Sequence, residues 1–320
     1  MANKTESAAA KSKRALKRRD NIFVFTLVIW AIIHFLVFWV YVNATSLLRL
    51  FQTYNAFKDK YVFSGLYNLK HVFNEMVLGN SESMHRAMFN SLFSVIPGLF
   101  IILPLAYITS YAFYKHVPGE RLFRVLFYLP SMISIVVLTM SYKYMFDPQF
   151  GPIRLLFNKL GYTDLKWLSA VPDNNMLWPL TYLYCVWSGL GSNVILIGGA
   201  MQRIPKEIIE SARLDGVGFW RESVSIVLPL VMPTVTNFIV LALMGVFGFM
   251  MQPMLLTDAG GGSSGAALTV AMYIYNTASS GVQAKYDAAI TTGILFSLMF
   301  GPIVFIIKAV LDKFTPKVEF

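Results

Sequence analysis

The sequence predicts an all-α, polytopic membrane protein with about six transmembrane helices. Of its 320 residues, 56% are hydrophobic and only 14% are charged, which is too apolar for a water-soluble domain. A bilayer core about 30 Å thick requires about 20 apolar residues per helical span. The long apolar segments lack the two-residue alternation of barrel strands, so we expect helices. The predicted spans are 22–42, 87–114, 122–146, 176–201, 226–256 and 286–311.

The first predicted span, 22–42, follows a basic segment, residues 1–21, that contains seven Lys and Arg. A signal peptide begins in the same way, but this apolar run of about 21 residues is longer than an h-region. We therefore expect a retained span and a basic tail that can lie on anionic lipid headgroups. His34 is the one histidine in a predicted span, and we interpret it as a hydrogen-bonded structural residue.

Basic residues are unevenly distributed between alternate loops. With a cytoplasmic N-terminus, the segments on the inner side contain 15 Lys and Arg in 61 residues, against 9 in the 102 residues of the opposite loops. Because Lys and Arg accumulate on the cytoplasmic side, both termini are predicted to be cytoplasmic. This asymmetry and the basic tail account for most of the net charge of +10, so nucleic-acid binding is not expected.

The later spans contain helix-bending residues but few charges. Prolines and glycines in the second, fourth and fifth spans favour bent helices around a cavity: Pro97, Pro104, Gly189, Gly191, Pro229 and Pro233. The predicted limits of spans one to five include no Asp or Glu, which argues against a carrier driven by an intramembrane ion site. The ionisable residues near span ends are interpreted as interfacial anchors: Arg124, Lys143, Asp287 and Lys308.

Motifs for catalysis or cofactor binding are missing from the sequence. The one cysteine, Cys185, lies in a span and excludes a disulfide framework or a cysteine metal site. No G-x-x-x-x-G-K-[ST] loop is present, and GGGSSG at 260–265 has no strand before it and reads as a flexible turn. We therefore expect that the chain is not an enzyme and binds no nucleotide, cofactor or metal.

A charged stretch, ESARLDGVGFWRESVSIVLP at 210–229, interrupts the apolar sequence. Pro205 suits the first turn of a helix, and Ile208, Ile209 and Ala212 form an apolar stripe on it. Gly216 and Gly218 permit a sharp turn, and a second short helix is expected near Phe219. The stretch is either a docking surface for another protein or an amphipathic connector that lies on lipid.

The spacing of this stretch resembles the EAA loop of binding-protein-dependent ABC importer permeases. Glu210-Ser211-Ala212 is followed after three residues by Gly216, and after nine more by Ile226, one residue and Leu228-Pro229. The segments IPKE, PLVMP, WSGLGSN and LIGGAMQ around the loop also resemble that family. Four further segments are similar to the carbohydrate-type permeases: FRVLFYLPSMISIVV, DPQFGPIRLLFNKLG, KWLSAVP and LLTDAGGGSSGAALTVAMYIYNTA. The resemblance covers roughly residues 20–314.

The resemblance implies a type I ABC importer permease fold in a bacterial plasma membrane. It implies a second homologous permease as a heterodimer partner, two cytoplasmic ATPase subunits that bind ATP and Mg, and an extracellular substrate-binding protein. Glu210 would contact the ATPase, Ala212 would pack at that contact, and Gly216 would form the bend. Asp215 occupies the aspartate position of the motif, and Ser211 replaces the usual alanine.

The resemblance also implies a division of the chain. Residues 1–21 form the cytoplasmic tail, and 22–86 comprise the first transmembrane helix and an external loop. Residues 87–314 form the permease core with its coupling loop at 203–229, and 315–320 form a cytoplasmic C-terminal tail.

The expected substrate is a carbohydrate, in particular an oligosaccharide, because the resemblance is to carbohydrate permeases. Sugar pathways use hydrogen-bonding and aromatic side chains. The candidates on the fourth and fifth spans are Tyr182, Ser188, Gly189, Ser192, Asn193, Asn237 and Gln252. Two alternatives remain open: an ABC permease for another solute, such as glycerol phosphate or a polyamine, and a stand-alone channel.

Overall fold

The computed structural model describes most of the chain and is mainly helical. The described residues are 21–55, 57–147, 150–162, 176–257, 261 and 265–316. The helices within them are α1 (Asn21–Arg49), α2 (Tyr67–Met76), α3 (Glu82–Tyr114), α4 (Glu120–Met132), α5 (Ile135–Met145), α6 (Pro152–Lys159), α7 (Leu177–Met201), α8 (Lys206–Leu214), α9 (Phe219–Phe247), α10 (Met251–Leu256), α11 (Val270–Ala278) and α12 (Gln283–Phe314).

Two compact units make up the chain, Met1–Asn68 and Leu69–Phe320. The first unit contains α1 and an antiparallel hairpin of β1 (Gln52–Asn55) and β2 (Lys60–Phe63). The Asn55 side chain accepts hydrogen bonds from the backbone N–H groups of Phe57 and Lys58 in the turn, at 3.0 and 3.2 Å. The all-α prediction therefore missed one small hairpin, although five of its eight strand residues are aromatic or β-branched types that favour strands.

Five helices in the described residues are long and apolar enough to cross a membrane: α1, α3, α7, α9 and α12. A sixth crossing exists if α4 and α5 are counted together, but these helices meet at an angle of 101°. Ile133 between them has an extended backbone, with ψ at 143°, and Pro130 lies in the last turn of α4. The predicted third span, 122–146, is therefore a pair of helices with a sharp break near its middle, and it counts as one crossing only if the pair is taken together.

The fifth span begins earlier and ends earlier than predicted. Helix α9 starts at Phe219, so the second short cytoplasmic helix expected there is the first turn of the span itself. At its other end the chain breaks after Phe247 and resumes in the separate helix α10. Glu222 therefore lies in the first turn of a helix long enough to span a membrane, outside the limits predicted for that span.

The second unit packs through three groups of buried apolar side chains. One joins α3, α7 and α9 and includes Tyr111, Ile197 and Val231. A second joins α2, α3, α11 and α12, and a third joins α5, α7 and α10. Most of these helices therefore bury one stripe against their neighbours and leave the rest exposed, as expected for helices that face lipid.

The predicted interfacial anchors have different environments. Asp287 is only 3% exposed, and Thr291, one turn further along the same face of α12, is also buried. Asp287 therefore lies on the packed face of the helix. Lys143 donates a hydrogen bond to the Thr257 carbonyl at 3.2 Å, whereas Lys308 is exposed.

Candidate functional site

Helix α8 is a short amphipathic helix attached to the packed core. Pro205 precedes it with an extended backbone, φ −57° and ψ 134°, so its missing N–H costs no helical bond. Glu207 lies in the first turn and Arg213 in the last, which complements the helix dipole. Ile209 is buried in the same apolar group as Tyr111 of α3. The stripe expected from the sequence thus fastens α8 to the spanning helices.

The bend after α8 depends on Gly216. Its φ is +73°, a left-handed conformation that side-chain-bearing residues rarely adopt. The Gly216 N–H donates to the Arg213 carbonyl at 3.0 Å, and the Val217 N–H donates to the Ala212 carbonyl at 3.1 Å, which closes the end of the helix. At Gly218 φ is −73°, a value that residues with side chains also adopt, so the backbone does not require glycine there. The predicted bend is confirmed at Gly216.

The outer face of α8 and its bend is charged, with one large apolar side chain. Glu210, Ser211, Asp215 and Gly216 are exposed. Ala212, which the resemblance implies would pack at the ATPase contact, is only 6% exposed, so its small side chain packs mainly within this chain.

Leu214 is 90% exposed and was missed in the sequence interpretation. Its signal was available, because Leu214 is a large apolar residue outside the stripe formed by Ile208, Ile209 and Ala212. An isolated exposed leucine would need no explanation. This one lies beside the bend that the motif had already singled out, so it is a candidate anchor for a partner protein.

A buried ion pair lies where α3 and α9 begin to pack. Lys115 Nζ donates to both carboxylate oxygens of Glu222, at 2.7 and 2.8 Å. The side chains are 17% and 2% exposed, respectively. The sequence interpretation counted both residues as loop charges and did not pair them, because they are more than 100 positions apart.

Two tyrosines extend this contact along α3. The Tyr111 hydroxyl donates to the Phe219 carbonyl at 3.2 Å, and the Tyr107 hydroxyl donates to the Ser223 carbonyl at 2.6 Å. Successive turns of α3 thus each contact the start of α9. We call the three contacts Tyr107–Ser223, Tyr111–Phe219 and Lys115–Glu222 the α3–α9 ladder.

Most of the predicted pathway residues lie on α7 and bond within it. The Ser188 hydroxyl donates to the Tyr184 carbonyl at 2.9 Å, and the Ser192 hydroxyl and the Asn193 amide donate to the Gly189 carbonyl at 3.3 and 2.7 Å. These polar groups are therefore satisfied by their own helix.

The remaining predicted pathway residues lie in three places. Tyr182 is half-buried, with its ring 5.6 Å from that of Trp178. At Gly189 an added Cβ would lie 3.4 Å from Ile102, so this glycine marks a close contact of α7 with α3. Asn237 is exposed on α9, and Gln252 lies on α10 rather than on the fifth span.

An aromatic group next to these residues joins α5 and α7. The Thr139 and Tyr184 hydroxyls are hydrogen-bonded at 2.6 Å, and both residues are fully buried. The ring of Tyr142 stacks against Trp187, with centroids 6.3 Å apart and planes at 29°. Trp187 is 41% exposed and presents an aromatic face beside a hydroxyl-rich helix surface.

Metal and nucleotide sites were not expected from the sequence. Within the residues that the structure describes, no three His, Cys, Asp or Glu side chains are placed to bind one metal ion. Of the GGGSSG turn, only Gly261 and Gly265 are described, with φ values of +71° and +69°. The other four residues of that turn lie outside the described residues.

Comparison with known proteins gives one family and several relatives. Residues 87–319 match the family described as binding-protein-dependent transport system inner membrane component. The chain is 30% identical to the sn-glycerol-3-phosphate transport system permease protein UgpA of Yersinia pestis bv. Antiqua, over 83% of this chain and 86% of that protein. It is 25% identical to the probable ABC transporter permease protein YurN of Bacillus subtilis, over 87% and 92%.

Solved structures show the same fold. A chain from the crystal structure of a bacterial ABC transporter that imports the acidic polysaccharide alginate matches with a TM-score of 0.78 and 22% identity, over 95% of this chain and all of that one. A second structure, of the alginate transporter in complex with a pentasaccharide-bound periplasmic protein, matches with a TM-score of 0.73 and 20% identity, over 94% and 98%.

Proposed function

Since the chain belongs to the family of binding-protein-dependent transport system inner membrane components, we propose that it is the permease subunit of an ATP-driven importer for carbohydrate. Its partners in this proposal are a second homologous permease, two cytoplasmic ATPase subunits and an extracellular substrate-binding protein. The permease contributes half of the translocation pathway in a bacterial plasma membrane, with both termini cytoplasmic. ATP and Mg bind to the ATPase subunits.

The surface formed by α8 and its bend carries this proposal. Leu214 is 90% exposed beside the glycine bend, and Glu210 and Asp215 surround it with charge. A central apolar side chain with a charged rim is the usual composition of a protein-binding surface. A connector lying on lipid would place its apolar stripe outward, whereas the buried Ile209 and Ala212 of α8 face the core. Contact with the ATPase is therefore assigned to Glu210, Ser211, Leu214, Asp215 and Gly216.

In this proposal the chain converts movement of the ATPases into movement of its helices. ATP binding brings the two ATPases together, and each carries its bound α8 with it. Because Ile209 fastens α8 to the group of side chains that joins α3, α7 and α9, these helices move as a body. The pathway thereby changes from inward-facing to outward-facing, as in alternating access.

A carbohydrate substrate is supported by the aromatic and hydroxyl groups on α5 and α7. Trp187 offers a partly exposed ring, and Tyr182, Ser188, Ser192 and Asn193 lie on the same helix. Sugars are recognised by such aromatic faces and hydrogen-bonding groups. We propose that these residues, with Gly189, Asn237 and Gln252, line the pathway. The alginate importer of similar fold acts on a saccharide.

Glycerol phosphate is a second candidate substrate. The observation that favours it is the 30% identity to a glycerol-3-phosphate permease over most of both chains. Both candidates are polyhydroxylated, so the same hydroxyl-bonding pathway would accept either. They differ in charge, which a transport assay separates directly.

The test is ATP hydrolysis by the complex purified from its own membranes through a tag on this chain. A panel of saccharides, alginate oligosaccharides, glycerol 3-phosphate and a polyamine is added with the co-purified or co-expressed binding protein. We expect a saccharide to stimulate hydrolysis and uptake in the wild type. Gly216→Pro should abolish stimulation, because proline cannot adopt φ +73° and lacks the N–H that bonds Arg213.

Three other results would reject parts of the proposal. Stimulation by glycerol 3-phosphate alone would assign that substrate. Solute flux without any ATPase in the purified complex would identify a channel. An assembled Gly216→Pro complex with unchanged stimulation would show that the bend is only a connector.

A further inference from the structure

The cytoplasmic end of α3 and the start of α9 are joined by the α3–α9 ladder. We propose that the ladder makes these two helix ends one rigid unit, and that the Lys115–Glu222 ion pair is its positioning element. Movement of α8 would then be transmitted to α3 as well as to α9. This inference rests on the proposed function, because it concerns how the coupling loop acts within an importer.

The backbone between α8 and α9 is a poor transmitter of force by itself. It runs from Leu214 to Phe219 through two glycines, and a Cβ at Gly216 or Gly218 would meet no atom within 4 Å. Glycine restricts the backbone less than other residues do, so this segment transmits force less directly than packed side chains. The side-chain route is firmer, because Ile209 of α8 packs in the same buried group as Tyr111 of α3.

The Lys115–Glu222 ion pair selects one register between α3 and α9. Replacing a buried ion pair with apolar side chains is often neutral or stabilising, so stability alone does not account for Glu222 at 2% exposure. The pair fixes the position of α3 relative to α9, because Lys115 donates hydrogen bonds to both carboxylate oxygens of Glu222, at 2.7 and 2.8 Å. A slip of one turn between α3 and α9 would leave the Glu222 charge buried without its cation, which penalises any other register.

The Tyr107–Ser223 contact of the ladder lies at an irregular turn of α9. Residues Ser223–Val227 are in π-helical geometry, and the Ser223 carbonyl accepts from the Leu228 N–H instead of the usual partner one residue earlier. Such turns are places where helices bend. The Tyr107 hydroxyl bonds the same carbonyl at 2.6 Å and lies 3.1 Å from the Ser223 hydroxyl. The ladder therefore contacts α9 at an irregular turn, where the helix can bend.

The first experiment measures solute transported per ATP hydrolysed by the whole complex in proteoliposomes. We expect Glu222→Gln to lower this ratio by about 2- to 30-fold, the range found for substitutions in coupling networks. The charge exchange Lys115→Glu with Glu222→Lys should restore it. Glu82→Gln is the matched control, because it removes an exposed ion pair with Arg86 at the other end of α3 and should change nothing.

The second experiment tests rigidity directly. Lys115→Cys and Glu222→Cys are combined in a Cys185→Ala background and joined with a short bismaleimide. If the helix ends form one unit, the cross-linked complex regains the ratio that the uncross-linked variant has lost. A cross-link that stops turnover would show that the ends separate during the cycle and would overturn the proposal.

The two experiments distinguish this inference from the proposed function. A wild-type complex that transports solute, together with a Glu222→Gln complex of unchanged ratio, rejects the ladder and leaves the importer intact. A wild-type complex with no ATP-dependent transport rejects the importer, and the coupling role of the ladder is rejected with it. Thermal unfolding of each variant complex is measured in parallel, since a purely structural role would lower stability without changing the ratio.

Discussion

Gly191 of α7 and Phe127 of α4 meet backbone to backbone. A Cβ at Gly191 would lie 2.0 Å from the Phe127 carbonyl oxygen, closer than any real contact, and 2.8 Å from the Tyr128 Cα. Small residues allow such close approach between membrane helices, where packing rather than the hydrophobic effect drives association. The contact places the bent pair α4 and α5 against α7, which carries most of the proposed pathway residues.

Gly191→Ala should therefore be strongly destabilising. A methyl group facing backbone cannot be accommodated by a side-chain rotation, so the two helices must move apart, at a cost of about 3 kcal/mol or more. The measurement is unfolding in detergent, followed by tryptophan fluorescence. Gly199→Ala on the same helix is the control, because its Cβ would meet nothing within 4 Å. Equal stability of the two variants would contradict the close crossing.

Gly216→Ala should weaken the bend after α8 through backbone conformation alone. At φ +73° an alanine costs about 1–2 kcal/mol, although there is free space around the position. Gly218→Ala is matched in space but has φ −73°, and it should be nearly neutral. ATPase stimulation by the loaded binding protein should fall only in the first variant. If ATPase stimulation is the same in both variants, a positive φ at position 216 is not required for coupling.

Leu214→Ser should weaken binding of the ATPase without affecting the fold. The side chain is 90% exposed in this chain, so its removal costs the free permease little. If the ATPase buries it, about 1.5–3 kcal/mol of binding free energy is lost. Affinity is measured with labelled ATPase and permease in nanodiscs. Lys206→Gln is the control, because Lys206 is exposed in the first turn of the same helix and lies outside the proposed contact. Unchanged affinity for Leu214→Ser would place Leu214 outside the interface.

The sequence was sufficient for the fold class and for α8 with its bend, but not for several contacts. Apolar length predicted the spans. Pro205, the apolar stripe of Ile208, Ile209 and Ala212, and Gly216 predicted α8 and its bend. Local pattern could not predict the break after Met132, because Pro130 is equally compatible with a continuous kinked helix. The Lys115–Glu222 pair could not be predicted from the sequence either, because it depends on how two helix ends that are distant in sequence pack together.

The hydrogen bond between Thr139 and Tyr184 should appear as a coupling energy in a double-mutant cycle. The hydroxyls lie 2.6 Å apart and both residues are fully buried. In membrane proteins such bonds contribute about 0.6 kcal/mol on average and up to about 1.7 kcal/mol. Thr139→Val and Tyr184→Phe should therefore be less destabilising together than the sum of the single changes. Ser110→Ala, whose hydroxyl bonds the Val194 carbonyl, should be additive with Tyr184→Phe.

Removing either partner of the Lys115–Glu222 pair should destabilise the protein, but unequally. Lys115→Met leaves the Glu222 carboxylate, 2% exposed, without its cation, and we expect a cost of about 3–5 kcal/mol. Glu222→Gln leaves Lys115, which is 17% exposed and long enough to bring its ammonium group to water, so the cost should be about 1–2 kcal/mol. Denaturant unfolding of the two variants and of Lys115→Met with Glu222→Leu measures this. The double variant should recover much of the loss, because it removes the unpaired buried charge. Equal destabilisation by both single variants would mean that the two ends of the pair are equally shielded from water, contrary to the structure.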